Sequence, residues 1–570
     1  MKLNKHIAMT IAMVAGTSML VAPSTFAASG STGGIVEFAL PSQTNLNWFL
    51  PITNAADDSV YNTQFVDQLF KPLLWINNDY TINWKSSVAQ KITYNTAGTV
   101  YHVFLNKKWK WSNGQPVTSK DLMFTWKVVQ AASAQNAPSP WPFVGVGTGD
   151  IPNGIKNIVA NNKYEVTITL DKPANQQWFI YNGIIQLVPM PSAVWDKYKN
   201  ITQEIKYLGN NASNPMFDTV VDGPFKVQSG TPNQSWVLVP NSSYAGHKST
   251  VSKIVFNFEA SNTAELAAIR TGSINVGYLD QSQLGSERAL TSMGDKVTPV
   301  YSFGIFWTEM NMWPGTPFKN VFDQLYVRQA LQMGMDNAGI SKDIYKGYAI
   351  PLFGPIPSVP KTTFLDTTLA AKPPYSFNIA KGKQLLESHG WKMVNGIMTK
   401  GSQKLKLTMM YVSGSTSSTD AAEVMKEDLG TMGVSVTLKP VPFSTFLTIT
   451  SNKKDSSWQL AVGSGWDYNG PGFYPTGGQL FASTAPSGTG FSNAQEDALI
   501  NATHIPYATP QETMKHFFAY EDYTAKELPF LWGQNVATLE VTAPTVHNVL
   551  KYLDAATAFP QMQYWTVSSN

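Results

Sequence analysis

A mixed α/β fold is the class this sequence predicts, and three observations carry it. Segments of period two recur along the chain, capped helical segments are interleaved with them, and there is neither a regular strand–helix period nor an internal repeat. The clearest strand is 164–170, Tyr-Glu-Val-Thr-Ile-Thr-Leu, which alternates apolar and polar residues as a half-buried strand does. Residues 100–105, 236–239, 253–258 and 434–438 are further strands. A helix is predicted from Asn262, where Glu265 completes a capping box, Leu266 and Ile269 form an apolar face and Gly272 supplies the stop. Residues 379–389 read the same way, with Leu385 and Leu386 inward and Gly390 at the end. Low-complexity sequence is confined to 413–418, read as a polar loop. No linker is rich enough to separate independent modules, so any lobes should share crossing connections.

The N-terminus opens with Met1, Lys2 and Lys5, continues with an apolar run over 7–21, and closes with Pro23 and the small-residue site Thr25-Phe26-Ala27. This is the pattern of a secretory signal, residues 1–27. Its apolar run is about 15 residues long and interrupted by Thr10, Gly16, Thr17 and Ser18, short for a bilayer span. The mature protein is therefore expected to be secreted and soluble, periplasmic or extracellular at the cell envelope. Cysteine is absent, which excludes disulfides, thiolate zinc sites, a cysteine nucleophile and the lipidated cysteine of a lipoprotein. The net charge of +3 falls to about +1 without Lys2 and Lys5, so nothing favours nucleic acid or an anionic membrane. Aromatic residues reach 12% against 14% charged, with 17 Trp. Most of these rings should be core, and a minority should line a ligand cleft.

Enzyme chemistry finds no footing. The seven histidines have no metal-ligand spacing, and there is no H-E-x-x-H, no P-loop and no G-x-S-x-G. Gly145-Val146-Gly147-Thr148-Gly149 reads as a turn rather than a phosphate loop. No catalytic residue, metal site or cofactor is predicted. The most pointed segment is 465–471, Gly-Trp-Asp-Tyr-Asn-Gly-Pro, read as a loop that sets Asp467 between Trp466 and Tyr468. Gly465 and its neighbours let backbone approach a ligand, and flanking rings strengthen a charge contact by excluding water. The segment suits a cationic ligand group, and the competing reading is an Asp that merely bonds its own turn.

Several segments together resemble the extracytoplasmic solute-binding proteins of ABC importers, specifically the oligopeptide- and dipeptide-binding family 5. Lys110-Trp111-Ser112-Asn113-Gly114-Gln115-Pro116-Val117-Thr118 with Asp121 is similar to the family motif K-W-S-D-G-x-P-[VF]-T-A-x-D, with Asn113 and Ser119 as departures. Its physical role is structural: a hairpin turn at Asn-Gly, then a helix capped by Thr118 or Ser119. Gln68-Leu69-Phe70 with Leu73, the turn Asp222-Gly223-Pro224-Phe225, the helix carrying Val327-Arg328-Gln329-Ala330-Leu331 and Met335-Asp336, and Leu385-Leu386 with Gly390-Trp391 follow in the family's order.

The resemblance implies a bilobal periplasmic-binding-protein-like fold: two large lobes, a hinge of crossing strands and an extra smaller domain. It implies a discontinuous first lobe (28–60, 190–271 and 535–570), an additional domain at 61–189 and a second large lobe at 272–534. It further implies a non-enzymatic receptor that captures a short peptide and passes it to ABC permease membrane subunits, acting as a monomer. Asp467, flanked by Gly465, Trp466 and Tyr468, matches the residue that meets the peptide's α-ammonium group. Val60 and Tyr61 match a stretch that lends backbone bonds to the peptide, and Trp141 or Phe143 an aromatic facing the ligand. Where some oligopeptide binders carry a base for the peptide carboxylate, this chain has Val462, Gly463 and Ser464. The alternatives are an oligosaccharide or other small-solute receptor, a signalling receptor, and a secreted hydrolase.

Overall fold

The computed structural model describes residues 33–485 and 488–568; the predicted signal, 1–27, lies outside them. Strand β1 (Ile35–Ala39) and helix α1 (Val60–Leu69) come first. They are followed by β2 (Ala89–Tyr94), β3 (Val100–Leu105), helix α2 (Ser119–Ala132), β4 (Ile155–Asn162) and β5 (Glu165–Leu170). These four strands form an antiparallel sheet of order β2-β3-β5-β4. Its period is the one the sequence predicts: Tyr101, Val103 and Leu105 of β3 and Val166, Ile168 and Leu170 of β5 are buried, and the residues between them are not.

The chain then runs through β6 (Phe225–Thr231), β7 (Ser235–Pro240), β8 (Lys253–Asn257), α3 (Asn262–Thr271), β9 (Val276–Tyr278) and β10 (Lys296–Val300). A second run supplies β11 (Gly304–Met310), α4 (Ile379–Ser388), β12 (Lys406–Val412), α5 (Thr416–Met432), β13 (Ser435–Val441), α6 (Phe443–Ser451), β14 (Leu460–Asp467) and β15 (Leu531–Trp532). The chain returns in β16 (Thr538–Thr542). A seven-stranded sheet has the order β10-β16-β9-β1-β8-β7-β6, and a five-stranded sheet the order β13-β12-β14-β11-β15.

Two short passages connect these sheets: 301–303 leads from β10 to β11, and 533–537 leads from β15 to β16. They are tied together, since Asn535 Nδ2 donates to the carbonyl of Ser302 at 3.2 Å and to that of Val359 at 2.8 Å. The first crossing lies later than the sequence boundary at 271 placed it. Strands β9 and β10 continue the seven-stranded sheet because Val276 pairs with Phe38 of β1, and Lys296–Val300 pairs in full with β16.

The family-like motif is a structural corner. Lys110 bridges to Pro116 across the Asn-Gly turn, and Thr118 caps α2. Asp121 closes the capping box by accepting from the Thr118 backbone N–H at 2.8 Å, and its other oxygen accepts from Ser192. The cap of helix α3 lies one residue earlier than the capping box at Asn262 implied. Ser261 is its cap, accepting from the Ala264 N–H at 3.1 Å, and this frees Glu265 for another role. Among the largest fully buried side chains are Trp109, Trp195, Trp236, Trp458, Trp532 and Trp565, so these rings serve the core as composition suggested.

Candidate functional site

Where the two crossings meet, a cavity of about 550 Å³ opens between elements of the two large sheets. One wall comes from the start of α1, from Glu265 of α3, and from β9 and β16; the other comes from β11, β14 and α6. Asp467, Trp466 and Gly465 line it, as do Val60 and Tyr61. The segment read as a loop is half strand. Residues up to Asp467 belong to β14, paired antiparallel with β11 in the register Gly304↔Asp467 and Phe306↔Gly465.

At two positions that register lays a neighbour's side chain over a bare glycine. A Cβ on Gly304 would stand 2.2 Å from Asp467 Oδ1, and one on Gly465 would stand 2.3 Å from the Phe306 ring. The carboxylate and the ring each lie across the bare backbone of the neighbouring strand. The Ser302 hydroxyl donates to Asp467 Oδ1 and fixes its direction. Burial pushes the Asp467 carboxyl up to about 6, with the Ser302 bond opposing the shift.

Val60 and Tyr61 are not extended backbone but the first turn of α1. The Tyr61 N–H is taken by its cap, Ser59, so the ring is what Tyr61 offers the cavity. That ring meets Phe443 of α6 edge-on, centroids 6.1 Å apart, across the cleft. Tyr468 is turned away: it is 2% exposed, its hydroxyl donates to the Pro355 carbonyl, and its own carbonyl accepts from the Tyr80 hydroxyl. Trp141 and Phe143 do not reach the cavity either. Trp141 donates from Nε1 to the Ile205 carbonyl at 3.0 Å and abuts Trp48, while Phe143 is buried beside the end of α2. Both are held by local packing in a Pro-flanked turn.

Sequence reasoning missed most of the charge in this cavity. Six carboxylates line it, Asp58, Glu265, Asp280, Glu309, Asp467 and Glu540, and among the described residues no Lys, Arg or His does. None of the six is in an ion pair among the described residues. Asp280 is spoken for: it accepts from the hydroxyls of Ser282, Ser415 and Ser417, the last at 2.6 Å. Glu309 accepts from the Ser464 hydroxyl at 2.8 Å. Burial, uncompensated by any cation, pushes Asp58, Glu309 and Glu540 up to about 7 and holds Glu265 well above its ordinary range. One signal for two of them was in the sequence: Glu309 and Glu540 each interrupt a strand rich in apolar and β-branched residues, Gly304–Met310 and Thr538–Thr542. Among the described residues, no three of His, Asp and Glu are grouped to hold a metal ion.

A cavity at the double crossing between two sheets defines the class of two-lobed ligand receptors. The family model described as bacterial extracellular solute-binding proteins, family 5, middle, matches residues 83–484, and the chain belongs to that family. The chain is 24% identical over 422 residues to the oligopeptide-binding protein AppA of Bacillus subtilis, covering 72% of this chain and 71% of that protein. It is 25% identical over 458 residues to the dipeptide-binding protein of Lactococcus lactis, covering 76% and 78% respectively. The solved structure of B. subtilis AppA in complex with a nonapeptide superposes with a TM-score of 0.79 at 19% identity, covering 95% of this chain and all of that one. The fold is that of the periplasmic binding proteins, and among the described residues no helix is long and apolar enough to cross a membrane.

Proposed function

We propose that this protein is an extracytoplasmic receptor that captures short peptides in the cleft and delivers them to an ABC-type permease. The observation that carries the reading is Asp467: a carboxylate at the cleft wall, oriented by Ser302, with no cation of the protein in an ion pair with it among the described residues. A peptide's α-ammonium group supplies the missing charge. Relatives named for other solutes, including the nickel-binding protein of Escherichia coli and an EDTA-binding protein, leave the solute open at family level. Six carboxylates and, among the described residues, no base lining the cavity disfavour an anionic chelate and give a neutral sugar no advantage.

The two large sheets with their helices act as lobes, the four-stranded sheet as the additional domain, and the crossings at 301–303 and 533–537 as the hinge. The polar segment 413–418 acts as the latch on the far side. Ser415, the cap of α5, and Ser417 reach Asp280, and Ser413 donates to Gln43 at 2.7 Å, so closure makes hydrogen bonds that opening breaks. The protein works as a non-catalytic monomer that is not a lipoprotein. Native mass spectrometry of the protein purified from its own host is expected to find bound peptide, and scattering is expected to show contraction on binding. At 100 times the dissociation constant a peptide should raise stability by about 2.7 kcal/mol. An oligosaccharide in the cleft, or peptide returned cleaved, would overturn the reading.

A further inference from the structure

We propose that the cleft holds a second cation subsite between Glu540 and Glu265, and that the preferred peptides carry a lysine or arginine side chain there. The inference rests on the peptide reading of the same cleft. Glu540 lies on β16 directly opposite Tyr278 of β9, and lines the cavity on the wall across from the five-stranded sheet that carries Asp467. It is 7% exposed, and its Oε1 has no hydrogen-bond partner. A buried acceptor left unmade is costly, more so when charged, so this oxygen favours a donor from the ligand.

Glu265 flanks the same tyrosine from the helix side. It is 3% exposed, and its Oε1 is anchored by the Tyr278 backbone N–H at 2.7 Å. Tyr278 thus has Glu540 as its cross-strand partner and Glu265 on its backbone N–H, and all three line the cavity together with Tyr61. Two carboxylates beside two phenol rings suit an organic cation, whose charge the acids meet and whose hydrocarbon stem the rings cover. A divalent metal is a poor fit, since no three acidic or His side chains converge among the described residues. A single ammonium at Asp467 leaves this opposite wall unanswered, and no protein base lines the cavity to answer it among the described residues.

The test is calorimetry with C-terminally amidated tetra-alanine in which positions two to four are replaced in turn by lysine or by norleucine, which keeps the stem without the charge. At one position lysine should bind at least about tenfold more tightly than norleucine, as expected for a close charge pair. In Glu540→Gln that ratio should fall below about threefold, because the two changes remove one interaction. A thermal melt checks the variant's fold, and Glu265→Gln serves the same comparison should Glu540→Gln not fold. Equal binding of lysine and norleucine peptides at every position, or a lysine advantage that survives in both variants, would overturn the subsite while leaving the peptide reading intact. Failure of every tetrapeptide alongside tight binding of a non-peptide solute would remove both.

Discussion

The two walls of the cleft treat their carboxylates differently. On the five-stranded sheet each acid is met by a serine: Ser302 donates to Asp467, and Ser464 donates to Glu309. On the opposite wall Asp280 is likewise held by serine hydroxyls, but Glu540 of β16 keeps an oxygen with no partner, and Glu265 of α3 accepts from the backbone N–H of Tyr278. A hydroxyl that donates to a carboxylate favours its ionised form and fixes its direction before the ligand arrives. Asp467 and Glu309 are thus pre-oriented, whereas Glu540 keeps an open acceptor, the one that the proposed lysine subsite would fill.

The harshest challenge to the fixed-anchor side is Asp467→Ala. Removing one partner of a buried charge pair costs on the order of 2 to 5 kcal/mol, a loss of roughly 30-fold to several thousand-fold in affinity for a peptide with a free N-terminus. N-acetylating the peptide should harm the native protein badly and the variant little; equal losses in both would make Asp467 a turn residue only.

Gly304→Ala probes the same anchor without touching a charge. Its Cβ would collide with Asp467 Oδ1, and relieving the collision is expected to cost about 1–3 kcal/mol, read as weaker binding of free-N-terminus peptides. Unchanged affinity would mean the carboxylate works from another position.

Ser302→Ala asks what pre-orientation contributes. One hydrogen bond to a charged group is lost, so affinity should fall by about 1–2 kcal/mol, and the acid limb of the pH–affinity profile should move upward because a bond that favoured the carboxylate is gone. An unmoved acid limb would show that Ser302 only packs.

The remaining effect is on the empty protein, and it follows from both walls together. Asp467 is pushed up to about 6, and Glu309, Glu540 and Asp58 up to about 7, so between pH 4 and pH 7 the folded state binds more protons than the unfolded chain. Stability therefore falls as pH rises through that window and levels off above it. The ligand-free protein should melt at a higher temperature at pH 5 than at pH 8, and a saturating basic peptide should shrink or reverse that difference. A melting temperature that rises with pH in the empty protein would contradict the burial of these acids.

Much of the secondary structure was legible because it obeys local rules. The period of β3 and β5, the Asn-Gly corner with its capped helix, and the glycine after α3 all appear where the residues put them. Asp467 was legible as a candidate by its ring neighbours and glycines, but not the register that lays it over Gly304. The rings at Trp141, Phe143 and Tyr468 were misread as cleft residues because an aromatic side chain looks the same in sequence whether it faces a core or a ligand. Asn262 and Glu265 were read as a capping box because their spacing suited one; Ser261, one residue before Asn262, is the cap.

By itself, then, the sequence determined the strand and helix segments, the absence of thiol chemistry, the family motifs and Asp467 as a candidate. Those follow from the period of side chains along a strand or helix and from residue chemistry within a few positions. Only the tertiary structure decided that Asp58, Glu265, Glu309 and Glu540, spread along the chain from position 58 to position 540, join Asp467 around one cavity with no base among the described residues lining it. The reason is physical: strand crossing and sheet order bring distant segments together, and burial, which gives those carboxylates their shifted character, is a property of the assembled cleft rather than of any segment.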